Sequence, residues 1–404
     1  MYFVWFFVGL GGVGRPAPEL TEKDFRHWKL VDDFKERLGA IVQGTPATHP
    51  SWTDPKRKLE QMNYLSLFLF ALINPTVKTL NGVCAASKLQ RVQEAVCTRP
   101  TSAGAFSEAQ HLLEPCLLEE LIASLTAEVP GPLPAQPQAD WPLWLARDSS
   151  IFPALARMTW AQYGGGKAGQ PNRAVRLHVS FHLLHAKPVA VAVTAGRVCE
   201  RKVWRQQLQR GATYVGDRYF AEDYKMFGQL EESGCHFVLR LRDEAVMQQQ
   251  EEIPVPESAQ ATGVLSDQWG WLGVRERYRT GRLRVLTLRK PSGTLMRLVT
   301  NFTPEEMNAR DLQVLYRRRW QIECFFRWLK CLLGCRHWLA HSAKGATTQL
   351  YLAIIAGLML QLVLGARPNQ RLWECLQMYL TGWATLEELL SAVQKAQALA
   401  LKKS

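Results

Sequence analysis

The sequence has few acidic residues for its length. Its 404 residues include 36 Asp and Glu against 49 Lys and Arg, which leaves a formal net charge of +13. Such an excess of positive charge suits a polyanionic partner, and nucleic acid is the default candidate. A membrane surface would also attract it, but no isolated basic amphipathic helix with a polybasic tail is present, so we predict no membrane partner.

The cysteines do not form an even framework, and long apolar runs are missing. Nine cysteines are scattered along the chain, an odd count that predicts reduced thiols in a cytosol. The apolar start MYFVWFFVGLGGVG is too short to span a bilayer and has no charged leading region. We interpret residues 1–20 as a disordered or wrongly assigned start, and the apolar run 350–364 as a buried core helix.

The remaining composition is that of a globular protein with two to three domains, since 47% of the residues are hydrophobic and 21% are charged. Periodic apolar positions broken by prolines predict a helical region over 21–128. Its part 82–127 resembles a cluster of short helices that could place one helix in a DNA groove, although a plain helical bundle is the alternative. Five prolines within 129–142 predict a linker.

After this linker, the period of the pattern changes to that of strands. Residues 143–242 predict three strands, a helix, a strand, a helix and a strand, which is the order of a ribonuclease-H-like core. Short alternating segments over 243–300 predict a β-rich insertion. A helix within 301–345 would complete the core, and 346–404 predict a helical C-terminal region. The expected fold class is therefore α+β or α/β.

The most informative pattern is Y-x2-R-x3-E-x6-K, formed by Tyr316, Arg319, Glu323 and Lys330 in the run 312–334. On one continuous helix these four residues would fall within an arc of roughly 60°, beside an apolar stripe. Thr303, Pro304 and Glu306 predict the start of this helix, as a cap, a first helical residue and a capping box. The alternative is an ordinary solvated basic face with i,i+4 ion pairs.

This spacing, with Trp320 between, resembles the YREK signature of DDE transposases of the insertion-sequence four family. The resemblance covers roughly residues 60–340. It implies a ribonuclease-H-like core in which Glu323 is joined by two further acidic residues, each at the end of a strand. Asp148 in ARDSSIF and Asp217 in YVGDRYF fit that demand. Alone, each would more often be a turn or helix cap than a metal ligand.

The resemblance further implies roles for these residues. Asp148, Asp217 and Glu323 would be the catalytic residues and hold two Mg²⁺ ions, with Mn²⁺ as a possible substitute. Tyr316, Arg319 and Lys330 would grip backbone phosphates near the cut. Arg218, Trp269 and Trp271 complete the predicted DNA contacts.

The two tryptophans lie in the predicted insertion, where a family member that forms a DNA hairpin holds a flipped base against a Trp. The alternative is that one or both belong to the core of the insertion. Which of the two would stack, and whether a hairpin forms, is left open by the pattern.

The activity implied is cut-and-paste DNA transposition: the protein binds transposon ends, cleaves DNA and transfers the strand. Its partners would be double-stranded DNA, as inverted-repeat ends and target, and a second copy in a homodimeric synaptic complex. The expected location is the bacterial cytoplasm, at the nucleoid.

The chain departs from the family pattern at two positions. Ser149 follows Asp148 where a Gly is common, and Tyr219 stands where Asp-Arg-Gly is frequent. Loss of a Gly restricts the backbone. A decayed transposase kept as a DNA-binding regulator is therefore one alternative, and a nuclease or resolvase on the same fold is the other.

Overall fold

The computed structural model describes residues 29–44, 52, 54–129, 143–165, 171–274, 281–332, 337–365 and 369–401. The predicted start 1–20 and nearly all of the predicted linker 129–142 lie outside these residues. Within them, helices surround one large mixed sheet, which confirms the mixed α and β class predicted from the sequence.

Among the described residues, six helices precede the first strand. They are α1 (Lys29–Gly44), α2 (Gln61–Ile73), α3 (Leu80–Ala86), α4 (Gln90–Ala95), α5 (Ala103–Leu112) and α6 (Cys116–Glu128). Thr79 and Ser102 cap α3 and α5, because their side chains accept hydrogen bonds from the backbone N–H groups of Gly82 and Ala105. The apolar helix α2 is buried over most of its length, so these helices share a core rather than standing apart.

The sheet has ten strands. They are β1 (Trp144–Pro153), β2 (Gln162–Gly165), β3 (Pro171–His182), β4 (Lys187–Ala195), β5 (Thr213–Gly216), β6 (His236–Arg240), β7 (Met247–Glu252), β8 (Val264–Leu272), β9 (Leu283–Arg289) and β10 (Leu295–Thr300). Their order is β2-β3-β1-β5-β6-β10-β9-β8-β7, with β4 also paired to β3.

The first half of this sheet changes direction at β1. Strands β3 and β4 are antiparallel to their neighbours, whereas β1, β5 and β6 run parallel to one another. The parallel connections need crossovers, which helices α7 (Glu200–Arg205) and α8 (Lys225–Glu232) provide. The central strand β5 is fully buried, as expected for a strand covered on both faces.

The strands of the segment 243–300 continue this sheet rather than forming a separate one. Strand β10 pairs antiparallel with β6, and β9, β8 and β7 follow outward in turn. A short helix, α9 (Glu257–Gln260), lies between β7 and β8. A fully buried ion pair lies between β8 and β9, because Arg284 on β9 and Asp267 on β8 are each 1% exposed.

The helix that carries the signature is interrupted, which corrects the sequence prediction of one continuous helix. The structure has α10 (Ala309–Arg318) and α11 (Trp320–Leu332), with a turn at Arg319. The backbone N–H of Arg319 donates to the carbonyl of Tyr316 at 3.1 Å, so the turn is tighter than an α-helical one.

The predicted helix start was also wrong. Thr303 and Glu306 do form a capping box, with reciprocal hydrogen bonds of 2.9 and 3.3 Å, but it closes only a turn. Helix α10 begins six residues beyond Thr303, where Asn308 accepts from the N–H of Asp311 at 3.0 Å. The sequence predicted the hydrogen bonds of this capping box correctly, but such a box does not require a helix to follow directly.

Helices α12 (Ala343–Leu364), α13 (Gln370–Leu380) and α14 (Leu386–Leu401) end the chain. Among the described residues, α12 is the one helix that is long and apolar enough to cross a membrane by length and composition, and 78% of its apolar window is buried inside the protein. It packs against α2, α5, α6 and α11. Those contacts are the ones expected of a core helix, as predicted for 350–364.

Gly357 lets α11 approach α12 closely. A Cβ atom at this position would lie 2.1 Å from Cη2 of Trp328, whose ring fills the space. We expect Gly357→Ala to destabilise the fold by about 1–3 kcal/mol through overpacking, despite the better helix propensity of Ala. Urea denaturation measures this change.

The matched control is Gly228→Ala in α8, where nothing lies within 4 Å of the added Cβ. This substitution should stabilise by up to about 1 kcal/mol. Equal effects at the two positions would contradict the close packing of α11 on α12.

Candidate active site

Asp148 lies in the middle of β1, not at its end as predicted. Strand β1 continues to Pro153 through its antiparallel pairing with β3, while its parallel partner β5 stops at Gly216. The Asp148 Oδ1 atom accepts a hydrogen bond from the N–H of Ser149 at 2.8 Å. At the level of Asp148 in the sheet, the neighbouring strand β5 has therefore ended, while β3 on the other side continues.

Asp217 follows directly on the last residue of β5. The last register pair between the two parallel strands is Ala146 with Val215, and Asp148 and Asp217 are each two residues further along. Asp217 Oδ1 accepts from the N–H of Tyr219 at 3.0 Å. Two carboxylates are thus brought to neighbouring positions at the open end of a parallel strand pair.

The electrostatics of Asp148 reflect this arrangement. Its burial, together with the nearby charge of Asp217, raises the pKa of the Asp148 carboxyl to about 7, against the opposing effects of the Ser149 N–H and the Arg319 guanidinium. A carboxyl with a raised pKa resists ionisation near neutrality. A cation placed beside the carboxylate would favour its ionised form, so binding of the cation near neutrality would be coupled to release of a proton.

Arg319 is the cation that the chain itself supplies. Its guanidinium forms an ion pair with Glu323 one helical turn further along. Burial disfavours the charge of Arg319, but the neighbouring Tyr316 and acidic groups outweigh it and raise the pKa of the guanidinium. Among those acidic groups is Asp148, so Arg319 interacts electrostatically with two of the three predicted carboxylates.

Tyr316 and Lys330 are the other two signature residues, and each lies close to an aromatic or charged neighbour. Tyr316 is buried, with the Arg319 guanidinium carbon 5.7 Å from the centre of its ring, and burial raises the pKa of its hydroxyl. Helix α11 packs on β1. The Lys330 Nζ atom lies 5.7 Å from the ring centre of Phe152, on the strand that carries Asp148.

The structure brings two of the three predicted carboxylates together, and places the third against Arg319. Among the described residues, no group of three or more His, Cys, Asp or Glu side chains is arranged to hold a metal ion. Even so, the donor chemistry of Asp148 and Asp217 suits a divalent cation, because Mg²⁺ accepts a few carboxylates and completes its shell with other oxygens.

The two positions that lack the family's glycine show no backbone penalty. Ser149 lies within a regular strand, and Tyr219 has a φ of −62°, in the right-handed region that any residue adopts. The Tyr219 ring packs under the Arg201 guanidinium, whose carbon is 4.0 Å from the ring centre. Arg218, between Asp217 and Tyr219, is exposed and available to a ligand.

Trp269 and Trp271 are not brought to the carboxylates. Both lie half-buried on β8, which is five strands away from β1 in the sheet. At about 4.8 Å per strand, that separation is roughly 24 Å. Trp269 instead lies beside Arg282, whose guanidinium carbon is 5.6 Å from its ring centre.

A cavity of about 390 Å³ beside the signature residues was not predicted from the sequence. It is lined in part by Arg289 and Lys290, which lie at the turn between β9 and β10, and by Arg317 and Gln313 on α10. Ser292 and Gly293 are residue types typical of such a turn. Nothing in the pattern showed that this turn folds against the signature helices.

The chain is similar to known transposases. A model of the transposase DDE domain family matches residues 139–359. The chain is 27% identical over 220 residues to a probable transposase for insertion sequence element IS5377 from Geobacillus stearothermophilus, which covers 54% of this chain and 56% of that protein. It is 28% identical over 227 residues to the candidate transposase y4zB of Sinorhizobium fredii (strain NBRC 101917 / NGR234), covering 55% of this chain and 61% of that protein.

The aligned segment therefore spans less than two thirds of either relative. Among solved structures, the cryo-EM structure of a piggyBac transposase synaptic complex with hairpin DNA has a TM-score of 0.43 at 9% identity, covering 93% of this chain and 86% of that one. The family model matches more than half of the chain, from before β1 to within α12. The protein is therefore a member of the DDE-domain transposase family.

Proposed function

We propose that this transposase carries out cut-and-paste transposition, binding the ends of its element, cleaving the DNA and joining the freed 3′-OH to a target. The observation that carries the proposal is the placement of Asp148 and Asp217 at matching positions on adjacent parallel strands. Arg319 lies in the turn before α11, the helix that carries Glu323 and packs against β1, and its charge acts on Asp148. We assign the chain to the insertion-sequence four family on its YREK spacing.

The strand arrangement supports a ribonuclease-H-like core. Strands β4, β3 and β1 are antiparallel in succession, and β5 and β6 follow parallel to β1. This is the order that the sequence of strands and helices predicts for such a core. Its catalytic carboxylates would lie at the carboxyl end of β5 and at the same level on β1, where Asp217 and Asp148 are found.

Asp148, Asp217 and Glu323 are the residues that would hold two Mg²⁺ ions. Bound ions would activate the attacking oxygen and stabilise the leaving one. For Glu323 to bind the ions together with the two aspartates, its carboxylate must leave the ion pair with Arg319 and contact an ion. Arg319 would then be released to bind a phosphate oxygen of the DNA, for which its planar fork is well suited.

The helices α1–α6 would supply the recognition of the transposon ends, and two copies of the chain would act on paired ends. The exposed Arg218 and the signature residues Tyr316 and Lys330 would hold the backbone near the cut. Trp269 and Trp271 remain candidates for DNA contact away from the carboxylates.

The test uses a supercoiled plasmid that carries the gene with its own flanking DNA, with purified protein and Mg²⁺. A transposase is expected to release the element and to give joined products in a second plasmid. Cleavage without joining would favour a nuclease or resolvase instead. Sequence-specific binding without any Mg²⁺-dependent nicking would favour a regulator that has lost catalysis.

DNA binding is expected to weaken steeply with salt, because a chain with a net charge of +13 releases counterions from many phosphates. A protein that contacts 6–10 phosphates loses about 10³–10⁵ in affinity between 50 and 200 mM salt. Fluorescence anisotropy with a labelled duplex measures the slope. Affinity that is unchanged over this range would count against nucleic acid as the partner.

Replacing Arg319 or Lys330 by Ala is expected to impair cleavage more than stability. Loss of a positioned phosphate contact near the reacting atoms costs on the order of 10²–10³ in rate. Both side chains are half-buried, so we expect each change to lower the free energy of unfolding by only about 1 kcal/mol. Single-turnover cleavage and thermal melting separate the two effects.

The control for both variants is Arg310→Ala, which removes an exposed arginine from the same helical segment, away from the carboxylates. Suppose instead that Arg319→Ala and Lys330→Ala melt many degrees lower while the folded fraction cleaves normally. The basic face would then be structural only.

A further inference from the structure

Both aspartates of the site accept a hydrogen bond from a backbone N–H that follows them in the chain. Asp148 Oδ1 accepts from Ser149 at 2.8 Å, and Asp217 Oδ1 accepts from Tyr219 at 3.0 Å. Such a bond orients a carboxylate only if the donating residue is itself held in place. The contacts of Ser149 and Tyr219 therefore determine how firmly the two aspartates are oriented.

Ser149 is held by an ion pair between β3 and α7. The Nη1 atom of Arg176 donates to Ser149 Oγ at 3.1 Å, and the same guanidinium pairs with Glu200, the first residue of α7. Arg176 Nε also donates to the carbonyl of Gly196 at 3.1 Å. The side chains of Arg176 and Glu200 are 13% and 19% exposed, so solvent screens their attraction less than it would on the surface.

Tyr219 is held by the next residue of the same helix. Arg201 Nε donates to the carbonyl of Tyr219 at 3.0 Å, and the Arg201 guanidinium carbon lies 4.0 Å from the centre of the Tyr219 ring. Arg201 also pairs with Glu222 at 2.8 Å, which further restricts its guanidinium. Two consecutive residues of α7, Glu200 and Arg201, thus each support a residue whose N–H orients an aspartate.

The two supported residues are the ones at which the chain departs from the family pattern, since a glycine is common where Ser149 and Tyr219 stand. A glycine would have neither the hydroxyl that accepts from Arg176 nor the ring that lies beside Arg201. The side chains that replace the glycines are therefore the ones that contact α7 and its partner Arg176.

Glu200 also lies close to both aspartates. Burial raises the pKa of the Glu200 carboxyl, the Arg176 guanidinium opposes that rise, and the charge of Asp217 adds to it. After burial and Asp217, the charge of Glu200 is a further contribution to the raised pKa of Asp148. In the part of the chain that the structure describes, these carboxylates are not arranged as a metal-binding cluster. The contacts of Glu200 instead lead to Asp148 through Arg176.

We propose that Glu200 and Arg201 are positioning residues, which hold the two aspartates in the orientation that binds a divalent cation. Glu200 acts through Arg176 and Ser149, whereas Arg201 acts through Tyr219. This inference rests on the proposed function, because it is the cleavage reaction that requires the cation. Residues that orient metal ligands in this way typically change the affinity for the metal by about 10- to 100-fold.

The test measures Mn²⁺ binding to the full-length protein without DNA, with the free ion detected by electron paramagnetic resonance. The double variant Arg176→Met with Glu200→Leu removes one charge of each sign, so the net charge is kept and neither charge is left unpaired. Arg201→Met removes a positive charge, while Glu222 keeps Arg242 as its partner. If charge alone determined binding, the double variant would bind Mn²⁺ like the wild type, and Arg201→Met would bind it more tightly.

We expect instead that both variants bind Mn²⁺ about 10- to 100-fold more weakly than the wild type. The matched control is Arg205→Met, which breaks the ion pair with Asp223 at the last residue of the same helix and should leave Mn²⁺ binding unchanged. Thermal melting in EDTA identifies a variant that fails to fold, and the other variant then decides.

Mn²⁺ affinity equal to that of the wild type in both variants, or tighter binding by Arg201→Met, would overturn the inference and leave the proposed function standing. Should the wild-type protein neither bind Mn²⁺ nor cleave its own flanking DNA, the proposed function would fail together with the inference.

Discussion

Replacing Asp148 or Asp217 by Asn, or Glu323 by Gln, is expected to abolish Mg²⁺-dependent cleavage, with rates at least about 10³-fold lower. Each change keeps the size of the side chain but removes an oxygen ligand that the other two cannot replace. Single-turnover assays on the gene's own flanking DNA measure the loss. Binding of that DNA in EDTA should persist.

The Asp148→Asn protein gives a second readout. Because the folded-state pKa of Asp148 is raised to about 7, its ionisation is unfavourable in the fold, and the penalty grows as the pH rises above the pKa of the unfolded chain. In EDTA at pH 8, the Asn variant should therefore be at least as stable as the wild type. Lost cleavage would then reflect lost chemistry rather than unfolding.

The matched control is Asp223→Asn, which removes a carboxylate that is paired with Arg205, shortly after Asp217 in the chain. It should cleave at close to the wild-type rate. If Glu323→Gln also cleaves normally, the pairing of Glu323 with Arg319 is its whole role. The third ligand would then have to be sought elsewhere.

Asp267→Ala should produce the largest loss of stability, about 3–5 kcal/mol, because it leaves a buried guanidinium without its counter-charge. Arg284 donates to both carboxylate oxygens of Asp267, at 2.9 and 2.6 Å, and to the carbonyl of Met307 at 2.6 Å. The pair thus ties β8 and β9 to the turn before α10. Urea denaturation monitored by tryptophan fluorescence measures the change.

An exposed pair provides the control for this substitution. Glu251→Ala breaks the pairing with Arg282, where the two side chains are 67% and 43% exposed. Such pairs contribute about 0–1 kcal/mol. A double variant, Asp267→Leu with Arg284→Met, should be more stable than Asp267→Ala, since no unpaired charge remains buried. Equal losses in the free energy of unfolding for Asp267→Ala and Glu251→Ala would show that the buried pair contributes no more to stability than the exposed pair.

Local signals in the sequence predicted much of the architecture. The prediction of a DDE transposase is confirmed by the family match, and the mixed α and β class is confirmed by the sheet and its helices. These features follow from short-range patterns, namely the periodicity of apolar residues and the spacing of four residues on a helical segment. Such patterns depend on neighbours within about four turns of helix.

What the sequence did not predict depends on contacts between distant segments. Asp148 was placed at a strand end, but the strand continues because β3 pairs with it on the other side. Thr303 and Glu306 formed their capping box without starting a helix. The pairing of β10 with β6 merges the predicted insertion with the core sheet, and it likewise depends on contacts between segments that are distant in the sequence.

The cavity illustrates the same limit. Gln313 sits on an amphipathic helix, and Arg289 sits before a turn, so neither has a local pattern that marks a ligand. Their meeting depends on the packing of the β9–β10 turn against α10.

The separation of the proposed ligands along the chain has a consequence for protein synthesis. Asp148 and Glu323 are 175 residues apart, and α11 must pack on a strand made long before it. At a synthesis rate of about 5–20 residues per second, Glu323 leaves the ribosome on the order of 10–35 s after Asp148. In the later part of that interval the nascent chain holds both aspartates without their helix. Under the proposed function, a product of translation interrupted before Glu323 would lack one of the three proposed ligands.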